Sequence, residues 1–408
     1  MEVEETWIRN ALKKMSGNDD ASVRRIDNVV KESALAKGEN YLSTISRTSA
    51  DVWLSSGEIQ KVSCILKDQH QSPLLKQMSV EAGFFLREIE MYRDVLPKMK
   101  SLMEAIGDRK EPIWPECFGY RLYDQIALED LKNCGYVMAD RRKQLDLEHT
   151  LFTLRQIAEF HAISCVLHER SQIPVDLFGK IFWARNLDQT KEEIDGMLFR
   201  LVEALEQWGY EWHEAKSRLE EAIPLIWSEV KQFFNSCNNG LTVLNHGDCW
   251  TNNFLFRYEN SSPVSMKIVD FQLCHLGTPA HDLHWFFASS VPTRIRKQNF
   301  DEILNEYTRI LAGNLIKYGY KGDLPTLEVI RGHYDRYKVL QLWYTVLTAP
   351  GVLAETKAAY DVEEIMREAK EAKDRGQKSQ FNPYSNLADL PRSVIQEAIL
   401  DAMANKLI

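Results

Sequence analysis

His246, Asp248 and Asn253 stand at the spacing H-x-D-x-x-x-x-N, and a second acidic residue, Asp270, follows in the tripeptide Asp270-Phe271-Gln272. Two carboxylates and an amide are what phosphoryl transfer asks for. One oxygen must take the proton of the attacking hydroxyl, and hard oxygen ligands must hold Mg²⁺ against the phosphate. Asp248 suits the first task; Asn253 and Asp270 suit the second. Alone, His246-Gly247-Asp248 would read as an ordinary turn, because Gly and Asp favour turns. Asn253 in register and a second run ending in Asp-Phe argue against that reading. Cys249, beside Asp248, has no base placed for it by the pattern, so it is not read as a nucleophile.

Two short apolar, β-rich runs, 242–244 and 266–269, deliver these clusters at their C-terminal ends. Upstream, runs over 44–54 and 59–66 joined by Ser55-Ser56-Gly57-Glu58 predict a hairpin. Before it lies a small polar loop, Gly38 to Ser43, whose backbone N–H groups could cover phosphates; with one glycine it reads equally well as a strand-entry turn. Lys67 closes the second run, and a lysine at the end of a buried strand calls for an anion. The spacing predicts a helix over 78–96, ended by Pro97, with Phe85, Ile89, Tyr92 and Leu96 on one stripe. Glu88 lies beside that stripe and is the expected partner of Lys67, with Glu81 and Glu90 as rivals. Two further strands, 117–123 and 126–128, lead into Glu129-Asp130-Leu131, where a hinge would offer backbone groups to an adenine edge.

Beyond residue 135 the pattern turns helical, over 149–168, 187–208, 213–234, 278–289, 300–318, 326–347, 355–375 and 392–406. Thr278, Pro279 and Asp282 mark one helix start. His275, His281 and His284 near it read as scattered imidazoles, since no cysteine or carboxylate set completes a zinc spacing.

The bulk properties narrow the function classes. At 408 residues the chain should form two or three packed lobes. Net charge is −9, with 59 acidic against 50 basic residues, which argues against a general polyanion-binding surface and makes nucleic acid a poor partner. No secretory signal is expected from the acidic start, and no apolar run approaches the ~18 residues of a membrane span. The nearest, 343–354, is interrupted by Pro350-Gly351. Seven cysteines without a C-x-x-C pair predict reduced thiols and a cytoplasmic location. No G-x-x-x-x-G-K-[ST], H-E-x-x-H or G-x-S-x-G occurs.

The stretches GENYLS (38–43), ILK (65–67), FFLREIEMYRDVLP (84–97), LEDL (128–131), IAEFHAIS (157–164), HGDCWTNNFLF (246–256) and IVDFQ (268–272) resemble the ecdysteroid kinase-like family, also called CHK kinase-like, within the choline kinase and aminoglycoside phosphotransferase group. The resemblance implies an α+β, bilobal protein-kinase-like fold and ATP-dependent phosphorylation of a small-molecule hydroxyl. Carried onto this chain, it makes Asp248 the catalytic base and Asn253 and Asp270 the Mg²⁺ ligands. Lys67 becomes the α/β-phosphate ligand, with Glu88 its ion-pair partner. Gly38, Asn40 and Ser43 would lie over the phosphates, Glu129 and Leu131 would face adenine, and Asp282 would support the catalytic loop. Gln272 in place of the usual glycine fits this family and weakens any analogy to activation-segment switching.

The expected organisation is a nucleotide-binding lobe over 1–128, a hinge over 129–134 and a catalytic and substrate-binding lobe over 135–408. ATP and Mg²⁺ are the expected cofactors and a hydroxylated small molecule the partner, with no membrane and no obligate protein partner. A catalytically silent binding protein on the same fold is the alternative; a protein kinase is disfavoured by missing H-R-D-L and A-P-E signatures. Trp183, Trp208, Tyr210, Trp212, Trp285, Phe286, Trp343 and Tyr344 should be mostly core, with some lining a pocket for a bulky alcohol such as an ecdysteroid.

Overall fold

The computed structural model describes residues 2–17, 22–34, 43–122, 124–235, 240–355, 362–376, 379 and 381–408. β1 (Val23–Ser33), β2 (Ser43–Leu54), β3 (Ile59–Gln69), β4 (Cys117–Arg121) and β5 (Gln125–Glu129) form one antiparallel sheet in the order β1-β2-β3-β5-β4. Strand side chains alternate between faces, and here the alternation separates core from cleft. Ala50, Val52, Val62, Cys64 and Leu66 meet Ala11 and Leu12 of the Glu2–Met15 helix. Ile45, Arg47, Ile65 and Lys67 line a cleft on the opposite side. A one-residue slip between β2 and β3 would turn Lys67 into the apolar layer.

β1 went unpredicted as a strand. Of its eleven residues only Ile26 is buried, so this edge strand lacks the apolar alternation by which a strand is read from sequence.

The helix expected over 78–96 is instead three segments. Pro73–Ala82 ends at Gly83, Phe84–Glu90 follows, and a wide turn over Met91–Val95 opens into Leu96–Ala105. Pro97 ends nothing. It occupies the first turn of the last segment, where its missing N–H is not needed, behind a widened turn that relieves its ring. Pro350-Gly351 likewise fails to interrupt the Val339–Val352 helix. A proline there orphans the carbonyl four residues back, and the Tyr384 hydroxyl donates to that carbonyl, of Val346, at 3.2 Å. The helix expected over 326–347 divides into Leu327–Arg336 and Val339–Val352.

After β6 (Val137–Met138) the chain is mainly helical, with the Leu147–Glu169 and Ala280–Ser289 helices at the centre of the larger core. Every residue of Ala280–Ser289 is buried. Against these helices lie β7 (Val243–Asn245), β8 (Phe254–Glu259), β9 (Ser262–Ile268) and β10 (His275–Gly277). β7 pairs with β10, and β6, β8 and β9 form a second small sheet. The chain is thus α+β, with a β-rich N-terminal part and a helical C-terminal part. No described helix is long and apolar enough to cross a membrane.

Candidate active site

β7 and β9 carry the two polar clusters into the cleft. Past β7 the chain turns at Gly247, whose φ is +85°; a Cβ there would lie 2.3 Å from the Leu273 carbonyl oxygen. Only glycine fits, because both the left-handed backbone and the contact exclude a side chain. The turn is braced from below by Asp282. Its carboxylate accepts from His246 N (2.7 Å), from Gly247 N (2.9 Å) and from His161 Nε2 (3.0 Å), and its own N–H donates to Asn245 Oδ1 (3.3 Å). Burial works against this charge, yet His161 and His281 beside it hold the carboxyl well below the usual range.

His246 is kept neutral by burial. Its Nε2 donates to the Val269 carbonyl at 3.0 Å and its Nδ1 accepts from Asp248 N at 3.3 Å, joining the two clusters. Phe271 packs edge-on against His246 and Tyr92, tying the same junction to the Met91–Val95 turn.

Of the three carboxylates weighed for Lys67, Glu88 is the one it meets. Lys67 Nζ lies 2.6 Å from Glu88 Oε2 and 2.6 Å from Asp270 Oδ1. Glu81 instead takes a hydrogen bond from Gln77, and Glu90 pairs with Arg93. Burial disfavours the Lys67 ammonium, but the charges of Asp270 and Glu88 outweigh it and hold the group above the ordinary lysine range. Asp270 itself sits at φ +70°, a left-handed conformation that aspartate tolerates better than most residues.

Asp248 is pushed up to about 7, by burial first and by the Asp270 charge second, with a hydrogen bond from Asn253 opposing. Asn253 Nδ2 donates to Asp248 O (2.9 Å) and Oδ2 (3.0 Å), which leaves the amide oxygen as what Asn253 can offer a cation. No group of three or more His, Cys, Asp or Glu side chains among the described residues could hold a metal ion. A carboxylate and an amide oxygen facing a cleft fit Mg²⁺ that takes its remaining ligands from phosphate and water, rather than a caged structural ion.

The cleft has a volume of about 480 Å³. Ile45, Ile65, Leu128, Met138, Leu255 and Val269 make an apolar slot, and Lys67, Asp248, Asn253 and Asp270 line the same cleft. Glu129 and Leu131 border the slot. The Leu131 N–H is turned onto the Glu129 carbonyl at 3.1 Å, so it must open before it can donate to an adenine ring. Ser43 opens β2 and is buried; Gly38 and Asn40 lie outside the described residues.

Sequence reasoning missed three participants. Arg47 lines the slot and grips Asp130 through Nε (2.7 Å) and a second nitrogen (3.2 Å), while Ser63 Oγ donates to the same carboxylate at 2.6 Å. Strand alternation from Ile45 would have put Arg47 in the cleft. His161 lies inside a quoted motif, but nothing local names Asp282 as its partner. Arg87 is wholly buried and donates to the Gln272 carbonyl at 3.2 Å; its neighbour Glu88 drew the attention.

The sequence model of the ecdysteroid kinase-like family matches residues 37–320. No curated protein matches the chain. Solved structures that it resembles include a putative aminoglycoside phosphotransferase from Ralstonia eutropha JMP134, at 12% identity, 99% of this chain and 98% of that one, and a TM-score of 0.46. An AMP-bound spectinomycin phosphotransferase, APH(9)-Ia, matches at 12% identity over 81% of this chain and 88% of that one, with a TM-score of 0.39. A GDP complex of wild-type aminoglycoside 2'-phosphotransferase-IIIa matches at 12% identity over 97% and 98%, also at 0.39. At scores below 0.5 the likeness is too loose to transfer anything to this chain.

Proposed function

Because this chain belongs to the ecdysteroid kinase-like family and is a small-molecule phosphotransferase acting on a hydroxyl, we propose that it uses Mg²⁺ and ATP to phosphorylate a bulky, hydrophobic alcohol, with an ecdysteroid as the leading candidate. The observation that carries this reading is that Lys67, Asp248, Asn253 and Asp270 line one cleft beside an apolar slot sized for a small ligand. Asp248 accepts the hydroxyl proton. Lys67, held by Glu88, meets the phosphates, and the adenine lies in the slot near Glu129 and Leu131. Asn253 and Asp270 hold Mg²⁺, which neutralises phosphate charge when bound. Gly38, Asn40 and Ser43 cover the phosphates in this reading. The domain division follows from it: 1–128 binds nucleotide, 129–134 is the hinge, and 135–408 supplies catalytic residues and acceptor site.

The six described cysteines are free thiols, which supports a reducing compartment and hence the cytoplasm. The deciding experiment follows Mg²⁺-dependent ATP consumption against a sterol panel, choline and an aminoglycoside. Transfer to a sterol alcohol, lost in Asp248→Asn while nucleotide binding persists, is the expected result. Nucleotide binding without Mg²⁺-dependent transfer to any alcohol would overturn it in favour of a silent binding protein.

A further inference from the structure

Gln272 closes the tripeptide that begins with Asp270, borders the cleft and is only 5% exposed. A buried amide needs hydrogen-bond partners. Its Nε2 donates to Asp270 Oδ2 at 3.3 Å, and only the NH₂ end of a glutamine can face a carboxylate. The backbone beneath it is held from two sides. Arg87, wholly buried, donates to the Gln272 carbonyl at 3.2 Å, and Phe271 packs against both Tyr92 and His246. A fixed turn therefore delivers the amide to Asp270.

Asp270 thus has a donor on each oxygen, Lys67 on Oδ1 at 2.6 Å and Gln272 on Oδ2. Nucleotide affects the two differently. In the proposed reaction Lys67 meets the phosphates, which frees Oδ1 for a cation. Gln272 shares a turn with Asp270 and has its main chain held, so it keeps Oδ2. A cation arriving at Oδ2 would meet the positive end of an N–H dipole. Asn253 is committed in the same way: its NH₂ serves Asp248 O and Oδ2 at 2.9 and 3.0 Å, and only its amide oxygen remains. Sites that use two ions for phosphoryl transfer hold them about 3.5–4 Å apart, so a carboxylate shared between them must give an oxygen to each. A glycine at position 272 would leave both Asp270 oxygens open to such sharing.

We propose that Gln272 is a positioning residue that restricts this site to one divalent cation. By occupying Asp270 Oδ2 it leaves a single carboxylate oxygen, together with the Asn253 amide oxygen, as the protein's share of one coordination shell. That share suits Mg²⁺, which fills its shell from phosphate and water. The claim rests on the phosphotransferase reading and deepens it, because it sets how many ions accompany the nucleotide.

The test counts ions rather than turnover. The full chain with one equivalent of AMP-PNP, a non-hydrolysable ATP analogue, is titrated with Mn²⁺ and read by electron paramagnetic resonance. Neighbouring ions broaden each other's signal, and a single ion shows no such broadening. The parent should bind one Mn²⁺ per chain without it. Gln272→Gly removes the donor, and Gln272→Glu keeps the shape while putting an oxygen in its place; each should bind two ions and show the broadening. Thermal unfolding identifies folded variants, and Gln272→Glu decides if Gln272→Gly does not fold. Two ions in the parent, or a single ion in a folded variant, overturns the inference and leaves the phosphotransferase reading standing. Parental Mn²⁺ count and affinity in Asp270→Asn overturn both, because Asp270 would then hold no ion.

Discussion

Lys67 on β3 and Asp270 beyond β9, 203 residues apart in the chain, meet at 2.6 Å. One ammonium thereby joins the sheet, Glu88 on its helix and the second polar cluster. Lys67→Met would leave Glu88 buried and facing Asp270 with no cation between them. Removing one partner of a buried pair costs about 3–5 kcal/mol, so urea unfolding should show a loss of that order, together with near-complete loss of turnover. A stable variant with parental activity would refute both roles.

In the proposed reaction Asp248 must be ionised to accept a proton, and its carboxyl is pushed up to about 7 by burial and by Asp270. Activity should therefore rise with pH through neutrality, read as the acid limb of kcat/KM. In Asp270→Asn the second cause is gone, and a carboxyl NMR titration should find Asp248 ionising at lower pH. A titration unmoved by that substitution would discount the coupling.

The same shift has a stability consequence. A carboxyl raised in the fold binds its proton more tightly there than in the unfolded chain, so stability falls as pH climbs above the unfolded value of about 3.9. Asp248→Asn should then match or exceed the parental Tm above neutrality, while turnover drops by about 10²-fold or more. A lower Tm would mean that the carboxylate has a structural role.

Gly247→Ala puts a methyl group 2.3 Å from the Leu273 carbonyl oxygen at a φ of +85°. The left-handed backbone alone costs about 1–2 kcal/mol, and the clash moves the strand-end loop that carries Asp248. Thermal unfolding should fall by several degrees with a large loss of kcat. Retention of both would show that the loop repacks freely.

Asp282→Ala orphans His161 and the two N–H groups of His246 and Gly247. The expected cost is about 3–5 kcal/mol, with turnover falling as the loop loosens. Because this carboxyl is held well below the usual range, its stabilisation is present above the unfolded value and is lost as pH falls through the folded one. Acid unfolding of Asp282→Asn should accordingly show a weaker pH dependence than that of the parent.

The polar set that lines the cleft was legible from sequence because its information is local. His246, Asp248 and Asn253 share one loop, Asp270 ends a short run, and a lysine in an apolar strand declares its need for an anion. Strand alternation and helix periodicity carried the hairpin and most of the helices for the same reason. What tertiary structure alone decided depends on partners distant in the chain. Pro97 and Pro350 look like helix breakers until a widened turn and the Tyr384 hydroxyl absorb their effects. β1 is a strand because β2 offers it an edge, not because its own residues alternate. Arg47 finds Asp130 and His161 finds Asp282 across 83 and 121 residues. Such pairs exist only once burial makes an unpartnered charge too costly to leave, and the fold, rather than local spacing, chooses which partner arrives.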